Sequence, residues 1–225
     1  MSRYSSRLTP PRMPRRLSRF LASTLLAGLT LTGLWCGLPV ASAQAESVPL
    51  AQAESAATCP SAKLSQPFMK WGDEGSYMLA PGGHFESSPS TWTLSGGAKL
   101  AAGGEPYAVT GSLGAWSLAL SAGASAQSPF TCVEPSDRTF RFFARSEGTE
   151  ATVLVQVVYE TSKGSVASTG TKLALKRSWE PSPILHTGAA VISAVKNGTA
   201  QLALRFTGLS GTSRIDDVFI DPRMR

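Results

Sequence analysis

After Pro67 the chain offers short apolar runs punctuated by Gly, Pro and Ser, and no long stretch keeps apolar residues at helical spacing. That punctuation predicts an all-β chain folded as a two-sheet antiparallel β-sandwich. Residues 67–225 suit one domain. Trp116-Ser117-Leu118-Ala119-Leu120 puts its larger side chains on one face, and Val153, Val155, Val157 and Tyr159 share a face in the next long run. Gln201-Leu202-Ala203-Leu204-Arg205-Phe206 alternates most clearly, with Leu202, Leu204 and Phe206 inward and Gln201 and Arg205 outward. Asn197-Gly198 before it signals a type I′ hairpin; the same residues with Thr199 match a glycosylation sequon.

The run Thr139-Phe140-Arg141-Phe142-Phe143-Ala144-Arg145 sends Phe140 and Phe142 to one side and Arg141, Phe143 and Arg145 to the other. The second face mixes cations with an aromatic ring. Joined by Arg205 from a neighbouring strand, it would suit a hydroxyl-rich or carboxylate ligand; otherwise it is a solvated sheet face. Trp92 and Trp116 share strand faces with leucines and read as core. Trp71 and Trp179 lie among loop-forming residues, where an indole either stacks on a sugar ring or plugs the edge of the core.

The formal net charge of +6 belongs to the N-terminal end. Six arginines and no acid precede Ala43; the other 15 basic residues balance 15 acidic ones. A role on nucleic acid therefore loses its electrostatic support. The arginines lead into an apolar run from Phe20 to Val40 and then Ala41-Ser42-Ala43, so residues 1–43 read as a secretion signal and the protein as secreted and extracellular. Membrane contact is then transient, through that signal. An uncleaved anchor fits the run's length, but Gly28, Gly33 and Gly37 favour the signal. Residues 44–66 are Ala-, Ser- and Gln-rich and read as a linker. Past the signal, Cys59 and Cys132 form an even pair in an oxidising compartment, which predicts a disulfide.

Motifs for catalysis are few. The chain has no G-x-S-x-G, H-E-x-x-H, P-loop or G-x-G-x-x-G. Ser193-Ala194-Val195-Lys196 fits S-x-x-K without its companion elements, and His84 and His186 are the only histidines. A glycan hydrolase needs just two carboxylates, so that activity stays a remote alternative to a non-enzymatic role.

Gly82-Gly83-His84-Phe85-Glu86 followed by Trp92, with Arg214-Ile215-Asp216-Asp217-Val218 near the far end, resembles the jelly-roll carbohydrate-binding modules of the galactose-binding-like superfamily. The likeness covers residues 77–94 and 213–221. It implies a jelly-roll sandwich, a sugar site on the concave face or end loops, and often a structural calcium. Glu86 and Asp216 or Asp217 are the expected metal ligands; in a regular strand the two aspartates face opposite ways, so one of them would ligate. They could equally be solvent-facing or pair with Arg214 or Arg223. Arg141, Arg145 and Arg205 are the expected hydrogen-bond donors to a sugar and Trp179 the stacking ring. The expected partner is a glycan or an envelope surface component. The alternative is an exported structural or protein-interaction domain without sugar binding.

Overall fold

A computed structural model describes residues 59–87, 90–136, 139–188, 195–196 and 198–221. The expected export signal, most of the expected linker, Ser193, Asn197 and Arg223 lie outside the described residues. Among those described, the first strands are β1 (Leu64–Ser65), β2 (Tyr77–Leu79), β3 (Thr93–Ser95), β4 (Lys99–Ala102), β5 (Trp116–Ser121), β6 (Ser125–Gln127) and β7 (Thr131–Val133). Then come β8 (Thr139–Ser146), β9 (Ala151–Thr161), β10 (Gly164–Ala167) and β11 (Thr171–Leu175). The last are β12 (Glu180–Pro181), β13 (Leu185–His186), β14 (Ala200–Ser210) and β15 (Thr212–Asp221). Among the described residues the one 3-10 turn, Met69–Trp71, is closed by Gly72 at φ 76°, a left-handed position that glycine takes without strain. No helix among the described residues is long and apolar enough to cross a membrane.

The strands form two antiparallel sheets packed as a sandwich. In the eight-stranded sheet, β15 has β5 and β2 along one edge and β8 along the other; β4, β1, β12 and β13 complete it. In the seven-stranded sheet, β9 and β14 run side by side, flanked by β10 and β11 on one edge and by β6, β7 and β3 on the other. The apolar alternation read in the sequence fills the space between them. Phe142, Leu118, Leu120, Leu202, Leu204, Phe206, Ile215, Val153 and Val155 are all buried there, each worth about 1.5–3 kcal/mol of hydrophobic stabilisation. Trp92 stacks on Phe206 with ring centres 5.7 Å apart and meets Phe85 at 5.0 Å. Lys196 and Thr199 exchange both backbone hydrogen bonds, which closes the hairpin expected around Gly198.

Three features depart from expectation. The outward face of β8 is not a solvated sheet face: Phe143 joins Phe68, Tyr77 and Phe219 in a second buried cluster, roofed by Trp71, Tyr107 and Trp179. β15 is thus covered on both faces and reads as an almost continuous buried run. Trp116 is 44% exposed, because β5 extends past the end of the core before its leucines enter it. The domain also begins ahead of Pro67: Leu64 and Ser65 pair with Met78 and Tyr77, and a two-residue edge strand leaves no periodic signal.

Cys59 and Cys132 are joined, as expected, with Cα atoms 5.6 Å apart. The bond ties the start of the described domain to β7 and closes a loop with a sequence separation of 73 residues, worth about 4 kcal/mol in the loop-entropy model.

Candidate functional site

The four residues expected to bind sugar do not come together. Arg141, Arg145 and Trp179 lie on the outer face of the eight-stranded sheet, whereas Arg205 is on the outer face of the other sheet, across the whole core. Alternation fixes a residue's face within its own strand but not which sheet the strand joins.

Arg141 is an internal strut. Its Nε and Nη2 donate to the Ser182 carbonyl at 2.9 and 2.7 Å, its Nη1 reaches Asp73 Oδ2 at 2.9 Å, and its guanidinium lies 4.4 Å from the centre of the Phe68 ring. Tyr77 donates its hydroxyl to the same Asp73 oxygen at 2.6 Å. With Arg141 8% exposed, these donors serve the fold rather than a ligand. Arg145 sits 5.6 Å from the centre of the Trp179 ring, and its Nε is buried without a partner. Trp179 is half-buried against the Phe143 cluster, with its carbonyl accepting from the Tyr107 hydroxyl at 2.7 Å. It plugs the edge of the core.

The two ends of the domain do meet, as the sequence motifs implied. Trp116 donates its amide to Glu86 Oε1 at 2.9 Å; the Glu105 amide donates to Asp216 Oδ2 at 2.8 Å, and the Asp217 amide to Asp216 Oδ1 at 2.9 Å. The backbone closes around these groups. A Cβ on Gly104 would stand 2.8 Å from Asp216 Oδ2, and one on Gly114 would stand 2.7 Å from Glu86 Oε1. Glu105, 2% exposed, is a fourth carboxylate that the sequence motifs did not reveal; it accepts from the Tyr107 and Val109 amides. Its signal was Gly103-Gly104-Glu105, a Gly-Gly step before an acid like that before Glu86. Asp217 lies at φ 44° within a register shift between Asp216 and Phe219, so strict alternation fails and both aspartates feel Glu105 and Glu86. Arg214, expected as an alternative partner, instead pairs with Glu147 at 2.6 Å and donates to the carbonyls of Ala101, Ala102 and Gly103.

Burial pushes the Asp216 carboxyl up to about 7; the two amide hydrogen bonds oppose this, while the charges of Glu105 and Glu86 add to it. Asp217 is pushed up to about 8, first by burial, then by the charges of Asp216 and Glu105, a hydrogen bond with Glu105, and the Glu86 charge. An all-oxygen donor set of this kind suits a hard cation such as calcium. The Glu86, Glu105 and Asp216 side chains are turned toward backbone amides and Asp217 toward Glu105, and among the described residues no three His, Cys, Asp or Glu side chains are gathered in a geometry that could hold one ion.

On the seven-stranded sheet, register builds a polar row across four strands. Thr93 of β3 lies opposite Gln127 of β6, Gln127 opposite Arg205 of β14, and Arg205 opposite Gln156 of β9. The next row brings Ser95, Ser125 and Thr207 together. These seven side chains line a groove of about 400 Å3. Arg205 donates from Nε and Nη2 to Gln127 Oε1 at 3.0 and 2.7 Å, and Gln156 Nε2 donates to the Ser168 carbonyl at 2.7 Å. Those bonds fix the planar groups in place. Gln127, Gln156 and Arg205 thus bring to the groove a mixed donor and acceptor set that can pair with hydroxyls.

No protein-family model matches the chain, and no curated protein matches it. Solved structures do. One is the CBM22-1 xylan-binding domain from Paenibacillus barcinonensis Xyn10C, at 12% identity and TM-score 0.43, covering 67% of this chain and 97% of that one. A second is the CBM22-1 and GH10 modules of the Clostridium thermocellum xylanase Xyn10B, at 16% identity and TM-score 0.45; the match covers 65% of this chain and only 28% of that one. A third is TmCBM61 in complex with beta-1,4-galactotriose, at 17% identity and TM-score 0.36, covering 62% of this chain and 93% of that one. Carbohydrate-binding modules are among the solved structures the chain resembles.

Proposed function

We propose that this chain is an exported, non-catalytic glycan-binding module whose site is the groove on the outer face of the seven-stranded sheet. The observation that carries the reading is the row Thr93, Gln127, Arg205 and Gln156, which sets amide and guanidinium groups side by side on rigid strands. Preorganised planar groups lose little entropy on binding and pair with the hydroxyls of a saccharide. Arg141, Arg145 and Trp179 belong to the fold in this reading. Calcium is proposed as the counter-ion at the other location: Glu86, Glu105 and Asp216 would hold it after turning from their amide partners, with Asp217 turning from Glu105, and it would tie the two ends of the domain together. The partner is a polysaccharide of an extracellular or envelope surface.

A glycan array probed with the purified protein tests this. Binding to saccharides that weakens when Gln127 and Gln156 are both changed to Ala, with melting unchanged, is the expected result. Capture of an envelope protein with no glycan hit would instead favour the protein-interaction reading.

A further inference from the structure

Arg205 differs from the other buried or half-buried arginines that carry ion pairs in this domain. Arg141 has Asp73 at 2.9 Å and Arg214 has Glu147 at 2.6 Å. Arg205 has no carboxylate within reach among the described residues; its partner is the neutral Gln127 amide, which orients the guanidinium and leaves its charge uncompensated. The bonds to Gln127 use the Nε and Nη2 side. Among the described residues, no hydrogen bond occupies the end-on Nη1 and Nη2 edge, which carries two parallel N–H groups.

The surroundings keep that charge. Thr93, Ser95, Ser125, Gln127, Gln156 and Thr207 line the groove with it and none is acidic. Thr207 pairs with Leu154, and Leu154 with Lys172 of β11, so a second, exposed cation shares this face one row from Arg205. Among the paired strand residues on this face, the acid is Glu160, which lies four residues along β9 from Gln156, about 13 Å away at strand spacing. Nor does any aromatic ring among the described residues line the groove, which removes the stacking surface that a neutral sugar ring uses.

We propose that the groove is selective for an acidic glycan, a saccharide chain bearing uronic acid carboxylates, one of which sits end-on against the Arg205 guanidinium. Two parallel N–H donors match the two oxygens of a carboxylate, and the charge-assisted pair is stronger than any neutral contact the groove offers. Gln127 holds the guanidinium in plane, Gln156 and Thr207 meet the flanking hydroxyls, and Lys172 adds an attraction that salt screens. The inference rests on the groove being the glycan site.

The test is calorimetric titration of the purified protein with uronate oligosaccharides from several sugar series, with their methyl esters and with xylohexaose. The ester keeps the sugar and removes only the charge. The expected result is that at least one acid series binds roughly tenfold or more tighter than its ester, and that the gap closes in Arg205→Gln. Arg205→Lys keeps the charge without the paired donors and should retain only part of the gap; Lys172→Gln should lower the salt dependence. Melting curves establish that each variant is folded, and the comparison of acid with ester in the parent needs no variant. Acid and ester bound equally would overturn the acidic selectivity while leaving a glycan module standing. A sulfated neutral oligosaccharide bound as tightly as the uronate would overturn the carboxylate pairing. No binding of any saccharide would overturn the groove as the glycan site as well.

Discussion

The carboxylates at the meeting point of the chain ends make stability depend on pH in a direction opposite to that of ordinary salt-bridged acids. Asp216 and Asp217 have folded values of about 7 and 8 against 3.8 for an unperturbed aspartate. Between about pH 4 and pH 8 the metal-free folded state therefore holds protons that the unfolded chain has released, and stability falls as pH rises through that window. Below it the penalty is absent. For Asp216 alone, at 1% exposure, the shift corresponds to on the order of 4 kcal/mol, equivalent to roughly 10 °C in melting temperature for a domain of this size. The two groups interact, so the pair costs less than twice this. The proposed calcium would take the ionised form and compete with the protons. Calorimetric melting in excess chelator should show the midpoint dropping from about pH 5 to about pH 8, while millimolar calcium holds it level, so the gap between the two curves opens with pH. Asp217→Asn should raise the chelated midpoint near neutral pH and narrow that gap. A chelated midpoint that is flat or rises over the window would refute the burial argument, and curves that coincide at every pH would refute the calcium site.

Arg141→Met leaves Asp73 buried without its cation and should cost about 3–5 kcal/mol by denaturant unfolding, more than Asp73→Asn with Arg141→Met together. Gly104→Ala drives a Cβ to 2.8 Å from Asp216 Oδ2 and 2.9 Å from the Gly114 carbonyl; calcium-dependent stabilisation should be lost in melting scans. Trp116→Ala, at a 44% exposed site, should lower stability by no more than about 1 kcal/mol, against 3–5 kcal/mol for Trp92→Ala inside the core. Replacing Cys59 and Cys132 by Ser should lower unfolding free energy by about 4 kcal/mol in the oxidised protein.

Local pattern was enough to read β14 and β9, because each buries one face and alternation survives in the side chains. The disulfide followed from a count of two. What sequence could not supply was the assignment of strands to sheets. Arg141 and Arg205 both alternate outward, yet one meets a roof of loops and the other an open row of amides, a distinction made by register over 60 residues apart. The carboxylate cluster was legible in part. Glu86, Asp216 and Asp217 stood in recognisable motifs, whereas Glu105 enters through a loop, and Asp217 turns toward it only because its backbone takes a left-handed φ at a register shift. Trp116 failed as a core residue because alternation states which way a side chain points, not whether the opposite sheet extends that far.

The bond between Cys59 and Cys132 also sets how the domain bears tension. A pull on the chain ahead of Cys59 passes through the sulfurs into β7, and from there into β14, which β7 meets at Ala200, Gln201 and Leu202. Residues 60–131, which include β1 to β6 and all of Glu86, Glu105 and Thr93, lie outside that load path. A covalent bypass therefore spares part of the groove and half of the carboxylate cluster from direct stretching. For a pull from the N-terminal side, the three pairs between β7 and β14 are therefore the first strand contacts beyond the sulfurs to bear load.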